Sequence, residues 1–195
     1  MFVSFEGLDG SGKTTQAQRL AEALAADGVD VVSTREPGGT PLGEAIRELV
    51  LHGDHVAPWA EAALYTAARA QHVEEVIRPA LARGATVVCD RYLDSSAAYQ
   101  GVGRGLGLDA VLELNLTAVG GLLPDRTVLV RVDPGTALAR MGHAPDRIER
   151  EGAEFVARVC AAFDLLAGRF PERYVVVDGS RPVEEIAEDV RERVR

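Results

Sequence analysis

Gly7-Leu8-Asp9-Gly10-Ser11-Gly12-Lys13-Thr14 is the segment of this 195-residue chain whose residue types and spacing say most about chemistry. It fits GxxxxGK[ST] and lies between an apolar run (Phe2, Val3, Phe5) and a run of helical period, Thr14–Ala26, so it reads as strand, turn and helix. Glycines let such a turn aim backbone N–H groups at a triphosphate, and the helix that follows presents its positive dipole end to the same anion. On this reading Gly7 through Thr15 hold ATP, Lys13 reaches its β- and γ-oxygens, and the Thr14 hydroxyl takes a Mg²⁺ position.

Lysine usage adds an independent argument. Lys13 is the only lysine; the other 20 basic residues are arginine. A chain that accepts arginine wherever a generic positive charge will do keeps a compact ammonium where a planar guanidinium would not fit a tight phosphate loop. The same count excludes an NKxD-type guanine-recognition motif, which needs a second lysine, and with it a conventional Ras-like GTPase.

A phosphate loop alone does not say what receives a phosphoryl group. Ala85–Asp90 is an apolar strand ending in a carboxylate and followed by Arg91 and Tyr92; at the carboxyl edge of a parallel sheet, Asp90 can serve the metal and Arg91 a phosphate. Val128–Asp133 is a rival metal strand, but Asp133 precedes Pro134 and reads as a helix cap. Arg35-Glu36-Pro37-Gly38-Gly39 follows another strand onto the same edge, where the turn can position Glu36 and Arg35. Tyr65 and Arg69 stand four apart on a helix among small residues, which leaves room for a flat ring.

These groups need a frame. Segments rich in Val and Ile alternate with Ala-rich segments of helical period, the pattern of a parallel sheet covered on both faces by crossover helices. Strands are predicted at 2–6, 29–34, 85–90, 126–132 and 173–177, and helices at Asp109–Val119 and Pro182–Arg195, the latter with Asp189 and Arg193 on a solvated face. Gly101–Gly107 (GVGRGLG) reads as a flexible surface loop. The length and the absence of a linker or repeat predict one α/β domain over residues 1–195.

Composition narrows the partners. A formal charge of -9 argues against nucleic-acid polymers and anionic membranes, so an anionic ligand must meet a local cationic cluster. Cys89 and Cys160 form neither a disulfide framework nor a zinc motif, and no apolar run has the length of a membrane span, which predicts a cytoplasmic, reducing setting. On these residues the nearest alternatives are a kinase for another small acceptor and a non-catalytic ATP-binding module.

FEGLDGSGKTTQ, REPGGTPLGE, DRYLDSSAAYQG and DRIERE, in this order across nearly the whole chain, resemble the thymidylate kinases of bacterial type. The resemblance implies a P-loop kinase fold with a short lid at about 140–150, a homodimer, and transfer of the γ-phosphoryl group of ATP to dTMP with Mg²⁺ in deoxythymidine nucleotide biosynthesis. It implies that Arg69 hydrogen-bonds the thymine and Tyr65 stacks on it, that Arg91 and Arg47 hold the dTMP phosphate, and that Glu36 and Asp9 lie near the acceptor sugar, phosphate and metal. Ser96, Tyr99 and Gln100 match residues around base and deoxyribose, with Tyr99 crowding a ribose 2′-OH, and the Glu36–Pro37 bond is expected to be cis. Relatives with glycine at the Gly10 position draw catalytic arginines from a lid of the form RxRxxxxxDR; here that stretch is shorter, and Arg140, Arg147 and Arg150 are the candidates. His52 and His143 are unneeded and read as surface histidines.

Overall fold

Alternation along the strands decides which helices cover which face. In the computed structural model, which describes residues 1–140 and 146–194, five strands form one all-parallel sheet in the order β2-β3-β1-β4-β5. They are β1 (Phe2–Glu6), β2 (Val31–Arg35), β3 (Thr86–Asp90), β4 (Arg126–Arg131) and β5 (Tyr174–Asp178). Val3, Phe5, Val88, Val128 and Val175 point to one face, where they pack on Ala17, Leu20 and Leu24 of α1 (Lys13–Ala26) and on Ile186 and Val190 of α9 (Val183–Arg193). Phe2, Val87, Cys89 and Leu129 point to the other, beneath α2 (Pro41–His52), α3 (Pro58–His72), the short α4 (Arg78–Ala82), α6 (Leu108–Ala118) and α8 (Ala153–Arg169). Burying one such Val, Leu or Phe contributes about 1.5–3 kcal/mol, so a sheet covered on both faces is firm ground for side chains at its edge.

The connections explain how residues far apart in sequence meet. β1, β2 and β3 all end on the same edge, so the turns opening at Gly7, Glu36 and Arg91 converge there. The strand limits agree with the sequence reading within two residues, and the last helix ends at Arg193. Asp133 caps the short α7 (Pro134–Ala139), accepting from Thr136 N at 2.9 Å, and Asp189 pairs with the exposed Arg193.

One expectation fails in part. Only the first part of Gly101–Gly107 departs from a surface loop: α5 (Leu93–Ser96) continues as a wider helical turn through Ala97–Gly103, in which Gly101 and Gly103 are buried, whereas 104–107 is irregular backbone with Gly105 and Gly107 exposed. A β-carbon on Gly103 would stand 2.7 Å from the Phe155 ring of α8, and one on Gly101 would stand 3.1 Å from the Leu108 Cα. Gly101 and Gly103 permit close approach of neighbouring elements, and composition alone does not separate that use of glycine from freedom of motion.

Candidate active site

The donor side is built mainly from backbone. Gly12 precedes α1 with φ 94°, and the helix begins with no side-chain cap and no acidic residue of its own in its first turn, so its leading N–H groups are available to an anion. Gly10 holds φ 80°, and a β-carbon there would come within 2.1 Å of Ala137 O, so a side chain at this point would displace α7. The cleft above the loop is lined by Lys13, Thr14 and Thr15, together with Arg140, Gly179 and Arg181. Arg140 Nη1 donates to Gly179 O at 2.8 Å.

Thr14 and Asp90 meet at the mouth of this cleft. The Thr14 hydroxyl donates to Asp90 Oδ2, while Asp90 Oδ1 is buried with no hydrogen-bond partner among the described residues. A hydroxyl and a carboxylate, one of whose oxygens lacks any donor, are hard oxygen ligands of the kind Mg²⁺ takes through one or two carboxylates and substrate phosphates. The residues present therefore fit that ion.

The acceptor side is built from side chains of several elements. Its cleft is lined by Asp9, Glu36, Arg47, Tyr65, Arg69, Arg91, Ser96, Tyr99 and Gln100, so every residue expected to meet an acceptor lies on one cavity. Arg69 is 2 % exposed; its Nε donates to Glu36 Oε2 at 2.6 Å, Nη1 to Ser96 Oγ at 3.0 Å and to Asn115 Oδ1, and Nη2 to Tyr92 O at 3.1 Å. Four of its five N–H groups are thereby committed, which leaves one on Nη2. Glu36 Oε1 bonds His72 Nδ1 at 3.0 Å, and the ring's Nε2 meets Thr34 Oγ1 at 2.7 Å. Arg47 Nη1 donates to Pro37 O at 3.1 Å, across the cis Glu36–Pro37 turn. Arg35 lies outside the cleft, paired with the partly exposed Glu44.

Asp9 joins the two sides. Its Oδ1 accepts from Lys13 Nζ at 2.9 Å and from Arg91 Nη2 at 2.6 Å. Burial alone would raise this carboxyl, but the Arg91 guanidinium and Lys13 ammonium overcome that and hold it well below the usual carboxylate range. Arg91 has φ 70°, the single positive value at a non-glycine residue among those described. Its peptide is gripped from three sides: Arg91 N donates to Phe5 O at 2.9 Å, Tyr92 N to Glu6 Oε1 at 2.8 Å, and the Cys89 thiol to Arg91 O at 3.1 Å. Nη1 also reaches Ser95 Oγ at 2.9 Å, and the guanidinium lies 5.1 Å from the Tyr99 ring centroid.

The lid arginines separate. Arg140 reaches the donor cleft, whereas Arg147 is tied to the acceptor wall, with Nε on Val50 O at 2.8 Å and Nη2 on Glu61 Oε2 at 2.6 Å. Arg150 is exposed on the short turn Glu149–Glu151, His52 is exposed at the end of α2, and His143 with the middle of the expected lid lies outside the described residues.

Several members of the site were not singled out from sequence. Glu61 and His72 flank Tyr65 and Arg69 on α3 at intervals of three and four, so helical spacing marks them as same-face neighbours. Asn115 is a lone amide in the apolar stretch of α6, and its Nδ2 donates to Val111 O while Oδ1 serves Arg69 and Thr66. Asp94, inside DRYLDSS, turns away from the cleft to a buried bidentate pair with Arg173 at 2.7 Å.

A five-stranded parallel sheet with a glycine-rich phosphate loop after β1, and a second cation-lined cleft beside it, defines a kinase of the P-loop fold. The comparisons make this specific. Residues 5–190 match the family described as thymidylate kinase, and the chain belongs to that family. It is 57% identical to the thymidylate kinase of Leifsonia xyli subsp. xyli over 100% of this chain and 94% of the relative, and 54% identical, with the same coverage, to that of Clavibacter michiganensis subsp. michiganensis. The crystal structure of thymidylate kinase from Ehrlichia chaffeensis superposes with a TM-score of 0.83 at 34% identity, covering 100% of this chain and 98% of that one.

Proposed function

We propose that residues 1–195 form one catalytic domain that moves the γ-phosphoryl group of ATP to the phosphate of dTMP, giving ADP and dTDP for deoxythymidine nucleotide biosynthesis. Membership of the thymidylate kinase family supports the reaction. The observation that carries its geometry is the Asp9 carboxylate, which holds a donor-side cation and an acceptor-side cation on the same oxygen.

Phosphoryl transfer asks a protein for alignment and for neutralisation of charge on the group in transit. The loop Gly7–Thr15 and Lys13 bind the ATP phosphates, with Lys13 moving from Asp9 onto the β- and γ-oxygens. Thr14 and Asp90 would hold Mg²⁺, which would supply neutralisation of phosphate charge. Arg91 and Arg47 hold the acceptor phosphate in line, and the Tyr65 face and the remaining Arg69 N–H receive the thymine. Ser96, Tyr99 and Gln100 complete the base and sugar wall, and the buried Tyr99 phenol, pushed up by that burial, stays neutral there. The dTMP phosphate is already a nucleophile at neutral pH, so no general base is needed. Arg140 closes over the transferred group, with Arg147 held on the acceptor wall; an arginine in that role contributes about 10³–10⁵ in rate.

Leu42 and Leu49, seven residues apart on α2, and Trp59 at the start of α3 are 47%, 56% and 52% exposed, apolar area that a second copy would cover. We propose a homodimer on that face; a mass near 20.8 kDa by light scattering would refute it. No helix among the described residues is long and apolar enough to cross a membrane.

The test of function is an acceptor panel: ADP formation with ATP and Mg²⁺ against dTMP, dUMP, CMP and AMP. Saturable turnover with dTMP well above CMP and AMP is expected; equal turnover with AMP, or none with dTMP, would overturn the assignment.

A further inference from the structure

Glu61 lies on α3 four residues before Tyr65, and its side chain is fully buried in the wall of the acceptor cleft. A buried carboxylate requires partners, and this one has three from two other segments. Gln100 Nε2 donates to Oε1 at 2.9 Å; Arg104 donates through Nε to Oε1 at 3.2 Å and through Nη2 to Oε2 at 3.1 Å; Arg147 donates through Nη2 to Oε2 at 2.6 Å. With two guanidinium groups on it, Glu61 can only accept.

That fixes which way the Gln100 amide faces. A primary amide has a donor end and an acceptor end of nearly the same shape, and the environment decides between them. A carboxylate accepts only, so the NH₂ end of Gln100 must turn to Glu61. Oε1 is then the end left to the cleft that Gln100 lines, and no donor among the described residues meets it. Arg69 lines the same cleft, and its uncommitted N–H is a donor. An acceptor beside a donor is complementary to the N3–H and O4 edge of a 4-oxo pyrimidine. It opposes a 4-amino pyrimidine, whose N3 carries a lone pair and whose C4 substituent donates.

We infer that Glu61 is a positioning residue for base discrimination: through the Gln100 amide it sets the acceptor that selects an imide N3–H, and through Arg147 it ties the base wall to the segment that closes the lid in sequence. This rests on thymine occupying the cleft beside Tyr65 and Arg69. A sealed apolar wall would have filled the space as well, but it would not have fixed the orientation of an amide.

The experiment uses the full chain with Glu61→Gln, Gln100→Leu and the double variant, measuring kcat and KM for dTMP and for dCMP. The amide introduced by Glu61→Gln can donate to Gln100 Oε1, so the amide at 100 is free to turn. Glu61→Gln should lower the dTMP:dCMP ratio of kcat/KM about ten-fold, chiefly through KM for dTMP, the scale of one hydrogen bond. Gln100→Leu should do the same, and the double variant should lose little more than either. Equal losses for both substrates with the ratio unchanged, or losses that simply add, would overturn the inference. Should Glu61→Gln fail to fold, the wild-type protein decides: the ¹⁵N-labelled Gln100 amide protons should stay hydrogen-bonded to Glu61 with and without dTMP. An amide group that turns toward the ligand overturns the role of Glu61. If dTMP perturbs neither Tyr65 nor Gln100 in the wild type, the placement of thymine fails, and the inference falls with it.

Discussion

The donor and acceptor clefts share one edge of one sheet and are built on opposite principles. The donor cleft is a contiguous turn whose backbone N–H groups and helix end do the binding, with Lys13 the single side-chain cation of the loop itself. The acceptor cleft takes side chains from α2, α3, the turn after β2 and the long helical stretch after β3, and its recognition groups are held by other buried groups: Arg69 by Glu36 and Asn115, Glu36 by His72, Gln100 by Glu61. A phosphate can be cradled by any backbone that turns the right way, whereas a flat base with its own donor and acceptor edge needs side chains whose orientation is fixed. Binding and stability are therefore separable on the donor side and entangled on the acceptor side.

That difference can be broken experimentally, starting with the largest effect. Lys13→Met should lower kcat by about 10³ or more, the scale of a transition-state charge contact, while the fold survives with a smaller loss of stability than Arg69→Ala, because Asp9 keeps Arg91 when the ammonium is gone. Retention of more than about a tenth of wild-type kcat would remove the donor assignment. Among the lid candidates, Arg140→Ala should cost kcat most, since Arg140 reaches the donor cleft and Arg147 does not; three near-normal variants at 140, 147 and 150 would eliminate a catalytic lid arginine.

Arg69→Ala should show the entanglement. Removing it leaves the buried Glu36 carboxylate with His72 in place of a full guanidinium partner, so KM for dTMP should rise and the fold should lose up to about 3–5 kcal/mol together. A higher KM at unchanged stability would mean that the arginine serves the ligand alone, and an unchanged KM would refute its role at the base.

The smallest effect lies beneath the junction. Glu6 is pushed up to about 8 by burial first and by Asp94 second, against the hydrogen bonds from Ser95 and Tyr92 and the charge of Arg91. The folded chain binds this proton more tightly than the unfolded one does. Its contribution is thus fully present below the ordinary carboxyl range and fades as pH rises toward about 8. Thermal melts between pH 5 and 8 should slope downward a few degrees more steeply in the wild type than in Glu6→Gln; parallel slopes would contradict it.

The same contrast governs what could be read from the chain. The loop Gly7–Thr15, the five strands and the shared ligand edge are legible because backbone geometry writes itself in contiguous residue types: glycines where φ is positive, apolar runs where a sheet is covered. Arg69 and Tyr65 were assignable to a base only through resemblance, since a Tyr/Arg pair on a helix has no local signature of a ligand. Glu61, His72 and Asn115 escaped because their partners lie tens of residues away, and an isolated buried polar residue looks in sequence like a surface one. Gly101–Gly103 misled for the converse reason: glycine marks both freedom and close packing, and only the Phe155 ring beside Gly103 tells them apart.

The central claim is that the two clefts are one active site meeting at Asp9. A single molecule joining adenosine and thymidine through a polyphosphate chain tests it most directly by calorimetry. The account predicts that it binds at least about ten-fold more tightly than ATP or dTMP alone, and that Lys13→Met and Arg91→Ala each abolish the gain. Affinity no greater than that of the better single nucleotide, or a gain that survives both substitutions, would contradict it.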